Sequence, residues 1–214
     1  MNVVIVGAGG FGREVLSLIK AMNVVENRFN VLGFIDDALE KGVLVHDLPV
    51  LGNVEDVASL QVKNVVVAVG NPLVRKSIVE KLGSQISFPN LIHPSVIFQD
   101  LARTKIGDGA IICAGNIFTT DITLGNHCII NLSCTIGHDA DLGDFSSIMP
   151  GVNISGGAKL KSCVYVGTGA KLIKASQIGE KATIGAGAVV DTDVLKGETV
   201  VGVPARSLNK RHEL

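Results

Sequence analysis

One periodicity decides most of what this chain can become. Counting by sixes from Ile106 meets Ile112, Phe118, Leu124, Ile130, Ile136, Leu142, Ile148, Ile154, Leu160, Val166, Leu172, Ile178, Ile184 and Val190, fifteen large apolar residues without a slip. An α-helix repeats its apolar face every ~3.6 residues and a half-buried strand every ~2, so neither produces this beat. The fourth residue after each is mostly small, as in Ala110, Cys128, Cys134, Ala140, Ser146, Ala158, Ala170, Ser176, Ala182 and Ala188. The residue just after is often glycine: Gly107, Gly125, Gly137, Gly143, Gly167, Gly179 and Gly185. Such hexads fit a parallel β-helix, in which each contributes one short flat strand and a corner. The large residue fills the interior of a triangular prism, and the glycine is expected to relieve the turn. Three hexads close one coil, and the run makes about five coils stacked at roughly 4.8 Å. A β-sandwich would need the apolar register to break at loops, and it does not break. Beyond Val190 the beat predicts Lys196 as the next step, with Val200 to Ala205 ending the prism. A polar tail follows, in which Lys210 and Arg211 read as solvated charges.

The repeat occupies only the second part of the 214 residues, which predicts two domains, residues 1–90 and 91–214. The first reads differently. Asn2 to Val6 is a β-branched run, Gly7-Ala8-Gly9-Gly10-Phe11-Gly12 matches GxGxxG, and Arg13 to Met22 has a helical apolar face. A strand, a glycine turn and a helix N-terminus together form an anion site, because free N–H groups and the helix dipole point at a phosphate. A second strand, Val31 to Ile35, ends at Asp36-Asp37, where a nucleotide-binding β-α-β unit places acids for ribose or base, although such pairs also occur as plain turns. Leu48 to Gly52 reads as a turn, Val54 to Leu60 as a short helix, Val62 to Val69 as a strand closing at Gly70-Asn71-Pro72, and Leu73 to Leu82 as a helix. At about ninety residues this Rossmann-like β-α-β-α-β unit is half a full dinucleotide fold, so a nucleoside diphosphate suits it better than NAD.

Composition narrows the function classes. A net charge of −1 supplies no field for nucleic acid or an acidic membrane. The four cysteines form no CxxC pair, and Cys128 and Cys134 fall in the small-residue slot, which predicts buried reduced thiols. The five histidines have no metal-ligand spacing. The chain begins without a basic leader, and no stretch has the length to cross a bilayer, so the expectation is a soluble cytoplasmic protein.

The repeat holds two histidines, His127 and His138. His138 stands at a hexad corner in Ile136-Gly137-His138-Asp139, directly before a carboxylate that can hold the imidazole tautomer and stabilise its charged form. His127 has no adjacent acid. A base near a nucleophile, with an N–H donor for a developing oxyanion, is what acyl transfer from a thioester requires.

The hexads resemble those of the left-handed hexapeptide-repeat acyltransferases, and the left hand rests on that resemblance alone. Both parts together resemble the sugar O-acyltransferase family, which includes sialic acid O-acetyltransferases and N-acetyltransferases of nucleotide-linked aminosugars. The resemblance rests on GAGGFGREV (Gly7 to Val15), GFIDD (Gly33 to Asp37), AVGN (Ala68 to Asn71), Arg75, Asn131 with His138-Asp139, Leu142 to Phe145, Pro150-Gly151, Ser155 to Gly157 and Val201 to Pro204. It implies a nucleotide sugar, with UDP as the expected carrier, held by Gly9, Gly10, Phe11, Gly12, Asp36, Asp37, Gly70 and Asn71, with Asn131 beside the sugar. It further implies a homotrimer with acetyl-CoA in the groove between two prisms, contacted by Ser147, Gly156, Thr168 and Ala186. His138 is then the general base, Asp139 its partner and the Gly156 N–H the oxyanion donor, in N-acetylation within surface-glycan synthesis and without a metal. Phe11 and Ser147 stand where many relatives carry histidine. The alternatives are O-acetylation of a sugar or sialic acid, and a non-catalytic scaffold or nucleotide sensor. An NAD-dependent oxidoreductase is disfavoured because no second nucleotide half follows.

Overall fold

A computed structural model describes residues 1–173 and 175–208, and the chain divides into two compact units, Met1–Pro94 and the part from Ser95 onward. The division falls after Pro94, whereas the sequence pattern suggested residue 90.

The first unit is built on one five-stranded sheet. Its elements are β1 (Asn2–Val6), α1 (Gly10–Val25), β2 (Asn30–Ile35), β3 (Leu44–Val45), β4 (Leu48–Gly52), a 3₁₀ helix (Val54–Leu60), β5 (Val65–Val67) and α2 (Pro72–Leu82). The strand order is β3-β4-β2-β1-β5, with every pairing parallel except β3 to β4. Val3 to Val6 and Val65 to Val67 are all buried, as expected of strands covered on both faces. Pro72 opens α2, and the Asn71 side-chain oxygen accepts from the Leu73 and Val74 N–H groups. That pairing of a capping asparagine with a proline at the first helical position ends the preceding loop cleanly. Leu48 to Gly52, which reads as a turn in the sequence, is strand β4; its proline and glycine hid a segment whose Val50 is buried against the sheet. The strand expected over Val62 to Val69 is shorter, and the helix expected at Val54 is 3₁₀.

The second unit is a left-handed parallel β-helix whose short strands fall into three sheets. One carries the strands at Ile117–Phe118, Thr135–Ile136, Asn153–Ile154, Lys171–Leu172 and Val189–Val190, another those at Ile122–Leu124, Asp141–Leu142, Lys159–Leu160 and Gln177–Ile178. The third runs from Ile111–Ile112 through Ile129–Ile130, Ser147–Ile148 and Tyr165–Val166 to Thr183–Ile184. Between Thr104 and Val190 the paired strand residues lie eighteen apart, as Ile111 with Ile129 and Ile129 with Ser147. One sixfold residue in three therefore stacks on its own column. Phe118, Ile136, Ile154 and Leu172 form one such column inside the prism, all buried.

Two expectations about the repeat change. The next inward position after Val190 is Val194, not Lys196: Val194 is buried and bridges Ile178, so the last coil is two residues short (194 − 178 = 16). Lys196 stays outside, paired at 2.7 Å with Glu180, and with Lys181 it holds the Glu180 carboxyl below the usual carboxylate range. The chain then ends its coils at Thr199–Val201, which pairs antiparallel with Arg206–Ser207; Lys210 and Arg211 lie outside the described residues.

The glycines also work differently. The left-handed backbone falls three residues after most of the large apolar positions, and side chains occupy it at Asp121, His127, Ser133, Asp139, Phe145, Cys163 and Lys181, with φ between 54 and 61°. The glycine just after the large residue is needed for clearance. A Cβ on Gly143 would lie 2.7–2.9 Å from backbone atoms of Leu160, Lys161 and Ser162 in the next coil. Gly143→Ala is accordingly expected to lower unfolding stability by about 1–3 kcal/mol, the usual range for overpacking. Chemical denaturation measures this, and a stability equal to the parent's would contradict the clearance argument.

Candidate active site

In the first unit, β1 lies between β2 and β5, so the chain leaves it in one direction for β2 and appears on its other side as β5. This reversal opens a crevice at the carboxyl ends of β1 and β5, where open α/β sheets bind ligands. The loop after β1 meets the loop after β5 closely: a Cβ on Gly7 would sit 2.9 Å from the Ala68 carbonyl oxygen. Gly12 is bare because a Cβ there would lie 1.9 Å from the Gly7 carbonyl oxygen, which lets α1 start hard against β1. Gly9 caps α1 with no side-chain bond, and Gly9 and Gly10 are exposed with nothing within 4 Å of where a Cβ would be. A sixteen-residue helix thus presents open N–H groups to the crevice, the arrangement that favours a phosphate. Phe11 is half-buried in the first turn of α1.

Asp36 and Asp37 do structural work at this edge. Asp36 accepts from the Ala8 N–H at 2.8 Å and from the Ala38 N–H at 2.9 Å, tying the glycine turn to the end of β2. Asp37 accepts through Oδ1 from the Val54 N–H at 2.9 Å. Gly70 lies in the loop after β5, where the buried Arg75 donates from Nη1 to the Val69 and Gly70 carbonyls at 2.6 and 3.2 Å. Arg75 is thus the clamp of that loop, a function its place in a helix did not disclose. Asn71 is occupied in capping α2.

In the second unit, His138 and Asp139 share one corner of the prism, with side chains 66% and 67% exposed. His138 Nδ1 lies 2.7 Å from Asp139 Oδ2. A carboxylate can only accept, so Nδ1 donates and the neutral ring keeps its lone pair on Nε2. The left-handed backbone at Asp139 (φ 59°) turns its carboxylate back toward the preceding ring. Nε2 and Cε1 pass directly over Gly156, one coil further on: a Cβ there would lie 2.5 Å from each. A solvent-facing imidazole, with its tautomer held from behind and its basic nitrogen beside a glycine, can take a proton from an incoming nucleophile.

A family model described as the PglD N-terminal domain matches residues 2–82. GDP-perosamine N-acetyltransferase from Escherichia coli O157:H7 is 32% identical over 215 residues, covering 96% of each chain. A perosamine N-acetyltransferase variant from Caulobacter crescentus, solved in complex with CoA and GDP-perosamine, superposes with a TM-score of 0.87 at 27% identity over 97% of this chain and 96% of that one. The acetyltransferase domain of PglB from Neisseria gonorrhoeae, in complex with acetyl coenzyme A, gives 0.86 at 30% identity over 97% and 98%. The chain belongs to the hexapeptide-repeat acetyltransferases of nucleotide-linked aminosugars.

Other positions marked in this acetyltransferase divide. Thr168 and Ala186 fall in one column, one coil apart, on exposed hexad corners. Ser147 does not face a ligand through its side chain: it is 0% exposed, because its strand position on this sheet is covered. Asn131 is 7% exposed, and its Oδ1 accepts from the Leu132 N–H at 2.7 Å, which leaves little of it for a sugar. His127 is buried and stacked on Phe145, with centroids 4.9 Å apart. Among the described residues no group of three His, Cys, Asp or Glu side chains could hold a metal ion, and no helix is long and apolar enough to cross a membrane.

All four cysteines are buried thiols, and none is joined in a disulfide. Burial pushes the Cys134 thiol up to about 11 against two backbone hydrogen bonds that lower it. A thiol so placed is a poor nucleophile at neutral pH. Native protein at pH 8 is expected to leave Cys134 unlabelled by a thiol-reactive disulfide over minutes while the denatured chain reacts at four thiols; rapid labelling of Cys134 in the native state would contradict this burial.

Proposed function

We propose that the protein transfers the acetyl group of acetyl-CoA to the amine of a nucleoside-diphosphate-linked aminosugar, with His138 as general base. The observation that carries this reading is the exposed His138–Asp139 pair at 2.7 Å, with Nε2 over Gly156. The uncharged amine attacks the thioester carbonyl, forming the C–N bond, and its excess proton passes to His138 Nε2. The Gly156 N–H donates to the tetrahedral oxyanion. Collapse breaks the C–S bond, and the imidazolium returns the proton to the departing thiolate, giving free CoA and the amide. The transfer is direct, since the buried cysteines offer no surface nucleophile for an acyl-enzyme.

The open N–H groups of α1 suit the diphosphate. In the same unit a groove of about 430 Å³ is lined by Asp37, Val54, Leu73, Val74, Ser77, Ile78 and Lys81. Leu73 and Val74, each 49% exposed, offer an apolar surface for a base, and the Asp37 Oδ2 can accept from a base N–H. Uracil is the base that the family resemblance implies. Guanine is the base in the substrate of the perosamine relatives, so both belong in the assay. Acetyl-CoA is expected along the groove between two prisms of a homotrimer, its pantetheine arm against the Thr168 and Ala186 backbones.

Purified protein should acetylate GDP-perosamine or a UDP-linked 4-amino sugar, read by mass spectrometry. His138→Ala should lower kcat by about 10²- to 10⁴-fold, the usual contribution of a general base. Activity within a few-fold of the parent would remove His138 from this function. Acetylation of free or CMP-linked sialic acid, with no product from any nucleotide aminosugar, would overturn the N-acetyl reading.

A further inference from the structure

Gly156 has no conformational need to be glycine. Its φ lies outside the left-handed region, unlike that of Gly157 beside it at 72°. Nor does the clearance argument made for Gly143 apply, because the atoms nearest a Cβ at Gly156 belong to a side chain. They are Cε1 and Nε2 of His138, both at 2.5 Å, and Cδ2 at 2.9 Å. The sequence gives an independent sign. The second residue after each large apolar position reads Asp108, Ala114, Thr120, Asn126, Leu132, His138, Asp144, Pro150, Gly156, Ser162, Thr168, Lys174, Glu180, Ala186 and Thr192. These corner positions accept charged, polar and apolar side chains alike, and their one glycine is the residue a full coil after the histidine.

We infer that Gly156 is a positioning residue: the space left by its missing side chain seats the His138 imidazole, so that Asp139 fixes one edge of the ring and the bare Cα sets the height of the other. The inference rests on His138 being the base, and it assigns Gly156 a steric function separate from its N–H. A methyl at this point cannot coexist with the ring where it lies. The ring is exposed and turns about its own side-chain bonds at less cost than the coil can move, so the ring yields rather than the coil. Gly156→Ala therefore keeps the backbone N–H and the fold but moves Nε2 away from the amine.

The test is a double-substitution cycle of Gly156→Ala and His138→Ala, with melting temperature and acetyl-CoA affinity by calorimetry measured for each protein. Gly156→Ala is expected to lower kcat by about tenfold or more, with acetyl-CoA affinity and melting temperature unchanged. In the His138→Ala background, where the ring is gone, it should cost nothing further, because two residues acting as one unit are non-additive. Equal losses in both backgrounds, or weakened acetyl-CoA binding in the single variant, would overturn the seat and leave the base standing. Full activity of His138→Ala would instead overturn the base itself.

Discussion

The eighteen-residue register between coils is the constraint on which the second unit depends. Strand backbone groups pair from coil to coil, as Ile111 N–H donates to Cys128 O, Ile129 N–H to Ser146 O and Ser147 N–H to Val164 O. Once that ladder is set, each side chain belongs to a column and its neighbours are the residues eighteen before and after. The apolar columns fill the prism without any long-range coincidence of sequence. The same arithmetic places residue 156 next to residue 138, so the close approach at the proposed catalytic corner follows from the register that builds the fold. Structure and chemistry here share one cause.

The first unit depends on a different economy. Its sheet is held by β-branched strands buried on both faces, while its functional edge is held by side chains bonding to loops. Asp36 fastens the glycine turn, Asp37 the start of the 3₁₀ helix, Asn71 the start of α2, and Arg75 the loop between. What this leaves open is the N-terminus of α1, with its glycines bare. Residues that look like ligand contacts in sequence are in part the frame that keeps that terminus presented.

The degree to which the sequence disclosed all this follows from how local each signal is. The hexads were legible because a buried large residue recurs at fixed spacing, and the His138–Asp139 pair because the two are adjacent. The glycine after each large residue was misread, because clearance against a neighbouring coil and a left-handed turn look alike in one dimension. Val194 was missed because the last coil drops two residues, which only pairing with Ile178 shows. Strand β4 was hidden by Pro49 and Gly52, and the burial of Ser147 by its place on a covered sheet face, neither of which is encoded locally. Arg75 gave no sign of its loop-clamping role, since its partners are backbone carbonyls.

The most direct test of the whole account is a crystal structure of the protein with a nucleotide aminosugar and a non-transferable acetyl-CoA analogue. The account predicts the sugar amine within hydrogen-bonding distance, about 2.6–3.2 Å, of His138 Nε2, and the thioester carbonyl oxygen facing the Gly156 N–H. An amine held away from His138, with another side chain in reach of its proton, would contradict it.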